Sequence, residues 1–128
     1  MMKKDNCMTG TDELYLSKSL FIRGLQCHKS LYLHKHHQEL KDEVPPSRET
    51  LFQSGYEVGL MAQNLFPGGI TIPHDPDNYD RQVALTKEAI VKGTTTLYEA
   101  AFQFDGVFAR VDIFRKGKDG WDIYEVKS

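Results

Sequence analysis

Glu99, Asp112, Glu125 and Lys127 are the residues of this chain whose types and spacing could do chemistry. Asp105-Gly106 stands between the first two and is a strong hairpin signal, because a type I′ turn needs positive φ at both central positions. It pairs Phe104 with Val107 and, counted back, sets Glu99 opposite Asp112. Gly117-Lys118-Asp119-Gly120 suits a four-residue loop joining Lys116 to Trp121, which sets Asp112 opposite Glu125. The three carboxylates then form a row across adjacent strands, about 5 Å between neighbours. Lys127 lies two residues further along on the same face.

Like charges directly across a ladder repel, so such a row calls for a compensating partner. A divalent cation is the simplest one, and hard oxygen ligands suit Mg²⁺ or Mn²⁺ better than Zn²⁺. Such an ion lowers the pKa of a bound water and holds a phosphodiester in line with it, while a nearby lysine orients that water. Phosphodiester hydrolysis is the chemistry this set predicts. The competing interpretation is an exposed sheet face on which the carboxylates are solvated and Lys127 neutralises one of them. Arg110 projects from the same face as Asp112, to touch a phosphate or to pair with Glu125.

The elements that must position these residues follow from pattern. Residues 1–16 read as a flexible N-terminus. Ser17 then caps a helix expected to run to about Leu40. Pro45-Pro46 interrupts it, and Ser47 is expected to cap a second helix that Pro67-Gly68-Gly69 ends. "ITIPHDPDNYD" reads as a short extended piece plus loop, followed by a third helix from about Asp80 to Lys92 with Gly93 after it. From Thr94 the period changes to two, predicting an antiparallel meander of about Thr95–Phe104, Val107–Lys116 and Trp121–Lys127. Its apolar face (Tyr98, Ala100, Phe102, Val111, Ile113 and their neighbours) is expected to lie under the helices.

The 128 residues carry a net charge of −2 and are 40% hydrophobic, enough for one domain with a small core and without a general basic field. No apolar run approaches the ~20 residues that cross a bilayer, so a cytoplasmic protein without membrane attachment is expected. Two cysteines, Cys7 and Cys27, are too few for a disulfide scaffold.

Asp112 followed after a hairpin by Glu125-Val126-Lys127 resembles the D…(D/E)xK signature of the PD-(D/E)XK nuclease superfamily. The stretch "YEAAFQFDGVFARVDIFRKGKDGWDIYEVKS" is similar to its RecB-like branch, which includes the CRISPR-associated four-cysteine exonucleases. "LSKSLFIRGLQCHKSLYLHK" and "GYEVGLMAQNLFPGG" look like an uncharacterised bacterial family of longer chains in that branch. The resemblance covers about residues 15–128, with the nuclease-like portion taken as residues 17–128. It implies an α/β fold in which N-terminal helices precede the meander, an incomplete restriction-endonuclease-like αβββαβ core lacking its last helix and strand. It further implies a metal-dependent DNA nuclease with Asp112, Glu125 and Lys127 catalytic, Glu99, Asp112 and Glu125 on the metal, and Arg110 toward DNA. On this comparison the chain is a truncated, poorly active portion, and a homodimer through the unfinished sheet is expected. Cys27 matches the first iron–sulfur ligand of the four-cysteine enzymes, implying a cluster only in a full-length protein.

The sequence also departs from that pattern. Gly59 stands where many RecB-like enzymes have the histidine of a Gly-x-x-x-His motif, with Glu57 the nearest substitute. The departure keeps open a catalytically inactive nucleic-acid-binding or assembly module of the same fold. His28, His34, His36 and His37 read as a solvated helix end, and His74 as turn chemistry. Gly55 and Gly59, one turn apart, are expected to allow close helix packing.

Overall fold

The computed structural model describes residues 16–43 and 45–127. The chain forms β1 (Leu16–Ser17), α1 (Lys18–Gln26), α2 (His28–His36), a 3₁₀ turn at Gln38–Leu40, and α3 (Pro46–Asn64). Then follow β2 (Ile70–Thr71), α4 (Tyr79–Val91), β3 (Thr96–Phe104), β4 (Val107–Lys116) and β5 (Trp121–Tyr124). The fold is α/β, with a mixed sheet in the order β1-β4-β3-β2 and β5 also paired to β4.

Ser17 caps α1 as its position requires, its Oγ accepting the Leu20 N–H at 3.3 Å. The single helix expected to Leu40 is instead broken at Cys27, which is extended (φ −162°, ψ 112°). The break folds α2 back on α1 at a point where Gly24 is buried and a Cβ on it would lie 2.9 Å from Leu31 Cδ2. A glycine that admits a leucine at that distance makes the helical hairpin possible, and periodicity alone does not reveal it. Leu16, expected to be frayed, is a strand residue: it pairs in parallel with Val107 and donates its N–H to Gly106 O at 2.8 Å. The rest of the expected flexible segment, with Cys7, lies outside the described residues.

At α3 the cap is Pro45 rather than Ser47, with Pro46 in the first turn, where its missing N–H removes no helix bond and its fixed φ suits the helix. No residue of α3 is buried. Gly55 and Gly59 have nothing within 4 Å of an added Cβ, so the expected close packing there is not made among the described residues. Asn78 caps α4 by accepting from Arg81 N at 2.9 Å, and Gly93 follows the helix at φ +89°.

Both hairpins have the expected register. Asp105 and Gly106 take φ +48° and +74°, and Phe104 faces Val107. Gly117 N bonds Gly120 O at 2.7 Å, and Lys116 faces Trp121. β5 is shorter than expected, its ladder ending at Ile113–Tyr124.

Part of the expected apolar set meets a helix: Ala100 is in one core cluster with Ala89 of α4, and Phe102 and Val111 pack against that cluster. Alternate residues of a strand share a face, and α4 also lies over Ala101 and Phe108, which share the carboxylates' parity. Val83 clusters with Ala101 and Phe108, and the Tyr79 ring lies 4.5 Å from that of Phe108. Thr86 Oγ1 accepts the Ala101 N–H at 2.9 Å. The parallel β2–β3 pair explains this, since a crossover helix packs back on the sheet it connects. The other face is covered too: Tyr98 OH donates to Phe66 O at 2.5 Å, and the Phe66 ring lies 4.6 Å from Tyr124. Trp121 packs against the cluster that includes Ala89 of α4 and stacks on Phe114 at 4.6 Å with 3° between the planes.

Candidate functional site

The outer edge of β4 is shared by two short strands. β1 pairs in parallel with Val107 and Phe108, and β5 pairs antiparallel with Ile113–Lys116. Between them, Ala109–Asp112 has no strand partner on that edge among the described residues. Asp112 therefore sits where the edge passes from one strand to the other, beside backbone that no ladder uses.

Side chains converge there from both sides. Asp112 Oδ2 accepts the backbone N–H of Val126 at 2.7 Å, which holds the chain beyond β5 against β4 after the ladder has ended. Glu125 Oε1 accepts from Lys127 Nζ at 2.9 Å and also from Lys18 Nζ at the start of α1. The Lys18 bond holds the Glu125 carboxyl below the usual glutamate range, with the Lys127 bond second and burial opposing both. The Lys127 ammonium is correspondingly pushed up, first by its bond to Glu125, with the charge of Asp112 adding to the effect. Asp112, Glu125 and Lys127 thus form one electrostatic group.

Glu99 belongs to a neighbouring cluster. It lies at the one place in β3 missing from the β3–β4 ladder, between the pairs Tyr98–Ile113 and Ala100–Val111, and has φ +57°. A left-handed glutamate within a strand is strained by about 1–2 kcal/mol, and it disturbs strict alternation. Leu97 before it and Ala100 after it join one core cluster with Phe114, whose ring also meets Phe102 at 4.9 Å. Glu99 Oε2 accepts from Arg110 Nε at 3.3 Å.

Arg110 is 17% exposed and is the hub of that cluster. Its guanidinium also donates to Ile72 O at 3.0 Å and to Gln82 Oε1, and meets His74 Nδ1 at 2.9 Å. The expected alternative of an Arg110–Glu125 pair is not formed, because α4 and the β2–α4 loop offer closer acceptors.

The row thus resolves into two groups, Glu99 with Arg110 and Asp112 with Glu125 and Lys127. Among the described residues, no group of three or more His, Cys, Asp or Glu is arranged to hold a metal ion. Each carboxylate nevertheless engages described partners through one oxygen only: Oε2 of Glu99, Oδ2 of Asp112 and Oε1 of Glu125. Hard oxygen donors thus remain on Asp112 and Glu125, a set whose chemistry fits Mg²⁺ or Mn²⁺.

The other candidates lie apart from these groups. Glu57 is on α3 and accepts from Gln53 at 3.1 Å. Cys27 is an exposed free thiol between α1 and α2. Lys18, His74 and Gln82 are partners that sequence reasoning missed or undervalued. Only His74, in a loop between Pro73 and Asp75, carries a local signal; Lys18 and Gln82 arrive through long-range packing.

No known family model, curated protein or solved structure matches this chain. No described helix is long and apolar enough to cross a membrane.

Proposed function

We propose that this chain is a divalent-metal-dependent nuclease domain of PD-(D/E)XK type, hydrolysing phosphodiester bonds of DNA in the cytoplasm. The observation that carries the reading is the convergence of Asp112, Glu125 and Lys127 at the unpaired edge of β4. Asp112 and Glu125 would hold Mg²⁺ or Mn²⁺ through the oxygens their protein bonds do not use. The ion supplies an acidified water and neutralises charge on the phosphate when bound. Lys127, beside both carboxylates, orients the attacking water and offsets negative charge as it develops. Arg110, held by Glu99, Gln82 and the Ile72 carbonyl, fixes Glu99 beside this centre and is oriented for a phosphate only after exchanging one of those partners. An iron–sulfur cluster at Cys27 would need ligands from outside the described residues.

One observation favours a second reading. The Lys18–Glu125 ion pair already neutralises a proposed metal ligand, as expected of a binding or assembly module that keeps the fold without turnover. Cleavage of labelled DNA with Mn²⁺, compared with Lys127→Ala and with EDTA, separates the two. The nuclease reading expects weak but metal-dependent cleavage, as the poorly active portion implied by the resemblance allows, that Lys127→Ala reduces by on the order of a hundredfold. Binding without any cleavage would favour the module.

A further inference from the structure

α3 is the least covered helix of the fold. Its 19 residues span about 28 Å at 1.5 Å per residue. None of them is buried, and among the described residues no other element packs along the helix. It meets the sheet at its C-terminal end, where Tyr98 OH reaches Gln63 O at 3.5 Å. Helices in proteins draw most of their stability from packing an apolar face, so α3 calls for a cover.

The face is large enough to be an interface. Leu51, Phe52, Tyr56 and Leu60 are 70, 67, 64 and 43% exposed. They present on the order of 500 Å² of largely apolar surface per copy. Pairing two copies would remove up to about 1,000 Å² from water, the size at which a specific interface begins.

The order of residues along the face matches the chain to itself. At about 100° per residue, Phe52, Tyr56 and Gly59 fall within about 60° of one another, with Gly55 beside them. A Cβ added at Gly55 or Gly59 meets nothing within 4 Å, so both positions are open notches. Phe52 and Gly59 stand equally far, in opposite directions, from the point midway between Gly55 and Tyr56. An antiparallel pair with its two-fold axis at that point seats each Phe52 ring on the partner's Gly59, and both contacts form at once, as an isologous interface requires. The two Gly55 backbones then flank the axis on one side and the two Tyr56 rings on the other. The same register sets Arg48 beside the partner's Gln63. That last turn has no basic residue of its own, and a cation there complements the helix dipole.

We propose that α3 is a homodimerisation helix, pairing antiparallel with α3 of a second copy through Phe52 and Gly59. The inference is independent of the nuclease reading and does not involve the open edge of β5.

The test is sedimentation equilibrium of the full chain as wild type, Gly59→Phe, Tyr56→Ala and the exchange variant Phe52→Gly/Gly59→Phe, with melting temperatures to establish that each is folded. Wild type is expected to dimerise with a dissociation constant on the order of micromolar. Gly59→Phe sets ring against ring and should weaken the dimer by about tenfold or more. Tyr56→Ala, at an exposed position, removes the ring pair at the axis and should also weaken it by about tenfold. The exchange variant swaps ring and notch without changing composition and should return to within about threefold of wild type. A wild type that stays monomeric at about 100 µM would overturn the proposal and assign the cover of α3 to a different partner or chain segment. Dimerisation that neither Gly59→Phe nor Tyr56→Ala weakens, or a folded exchange variant that stays as weak as Gly59→Phe, would overturn it as well.

Discussion

Val126 donates its backbone N–H to Asp112 Oδ2 at 2.7 Å, and this side-chain bond takes over where the β4–β5 ladder stops. Glu125 and Lys127, the residues on either side of Val126, are thereby held beside Asp112. The carboxylate is both a positioning group for its neighbours and the proposed metal ligand.

Substitution at Asp112 should separate these two duties. Asp112→Asn keeps an acceptor for Val126 and should lower stability by less than about 1 kcal/mol, whereas Asp112→Ala removes it and should lower stability by about 1–3 kcal/mol. Urea unfolding of the two variants checks the order; equal losses would show that the Val126 bond contributes nothing.

Acid should act on Glu125 through its lysines. Its folded pKa lies below the ordinary glutamate value of about 4.3. The stabilisation is therefore fully present above that value and is lost as pH falls through the lower folded value. Lys127 has the opposite sign: its folded pKa is raised, so its contribution is present below the ordinary lysine value and is lost as pH rises through the raised one. Lys18→Ala removes the largest cause of the Glu125 shift and should flatten the acid limb of melting temperature against pH. The effect should be small, since Glu125 is 38% exposed and exposed ion pairs stabilise by about 0–1 kcal/mol. An unchanged acid limb would contradict the Lys18 assignment.

Glu99 tests the strained backbone. At φ +57° a glycine is unstrained and a β-branched residue is strongly disfavoured. Glu99→Gly should therefore melt above Glu99→Val, with a gap of about 1–3 kcal/mol. Both variants lose the Arg110 bond, so that contribution cancels in the comparison. Equal melting points would mean that the strand is regular at this position in solution.

Gly69 approaches the Tyr98 ring closely. A Cβ added there would lie 2.5 Å from Tyr98 Cζ, and the Tyr98 hydroxyl is fixed by Phe66 O and by the Gly69 N–H at 3.1 Å. Gly69→Ala should lower stability by about 1–3 kcal/mol, measurable as a reduced melting temperature. A neutral result would show that the segment after α3 moves freely on the sheet.

Local chemistry made much of this legible in the sequence. Asp105-Gly106 and the Gly117–Gly120 loop set the register of three strands because turn geometry is a property of a few adjacent residues. Ser17 and Gly93 marked helix ends for the same reason. Non-local events were not legible. The break at Cys27 depends on Gly24 meeting Leu31, and β1 and β2 are two-residue strands whose pairing comes entirely from β4 and β3. Helix cover was legible in part: Ala100, Phe102 and Val111 pack with residues of α4, whereas the cover over Ala101 and Phe108 was not foreseen, because alternation marks two faces without saying which one a crossover helix takes. Within the site, register brought Asp112 and Glu125 together, but α4 and the loop before it drew Arg110 to Glu99, Gln82 and His74.

The central claim is that Asp112 and Glu125 hold a divalent ion, and melting temperature with and without Mn²⁺ tests it most directly. Wild type should gain stability as Mn²⁺ rises, since a ligand that binds only the folded state stabilises it by mass action. Asp112→Asn and Glu125→Gln should not respond, because losing one hard ligand leaves the ion with little beyond solvent. A wild type that ignores Mn²⁺ as both variants do would contradict the account and leave Asp112, Glu125 and Lys127 as a solvated ion-pair group at the edge of a sheet.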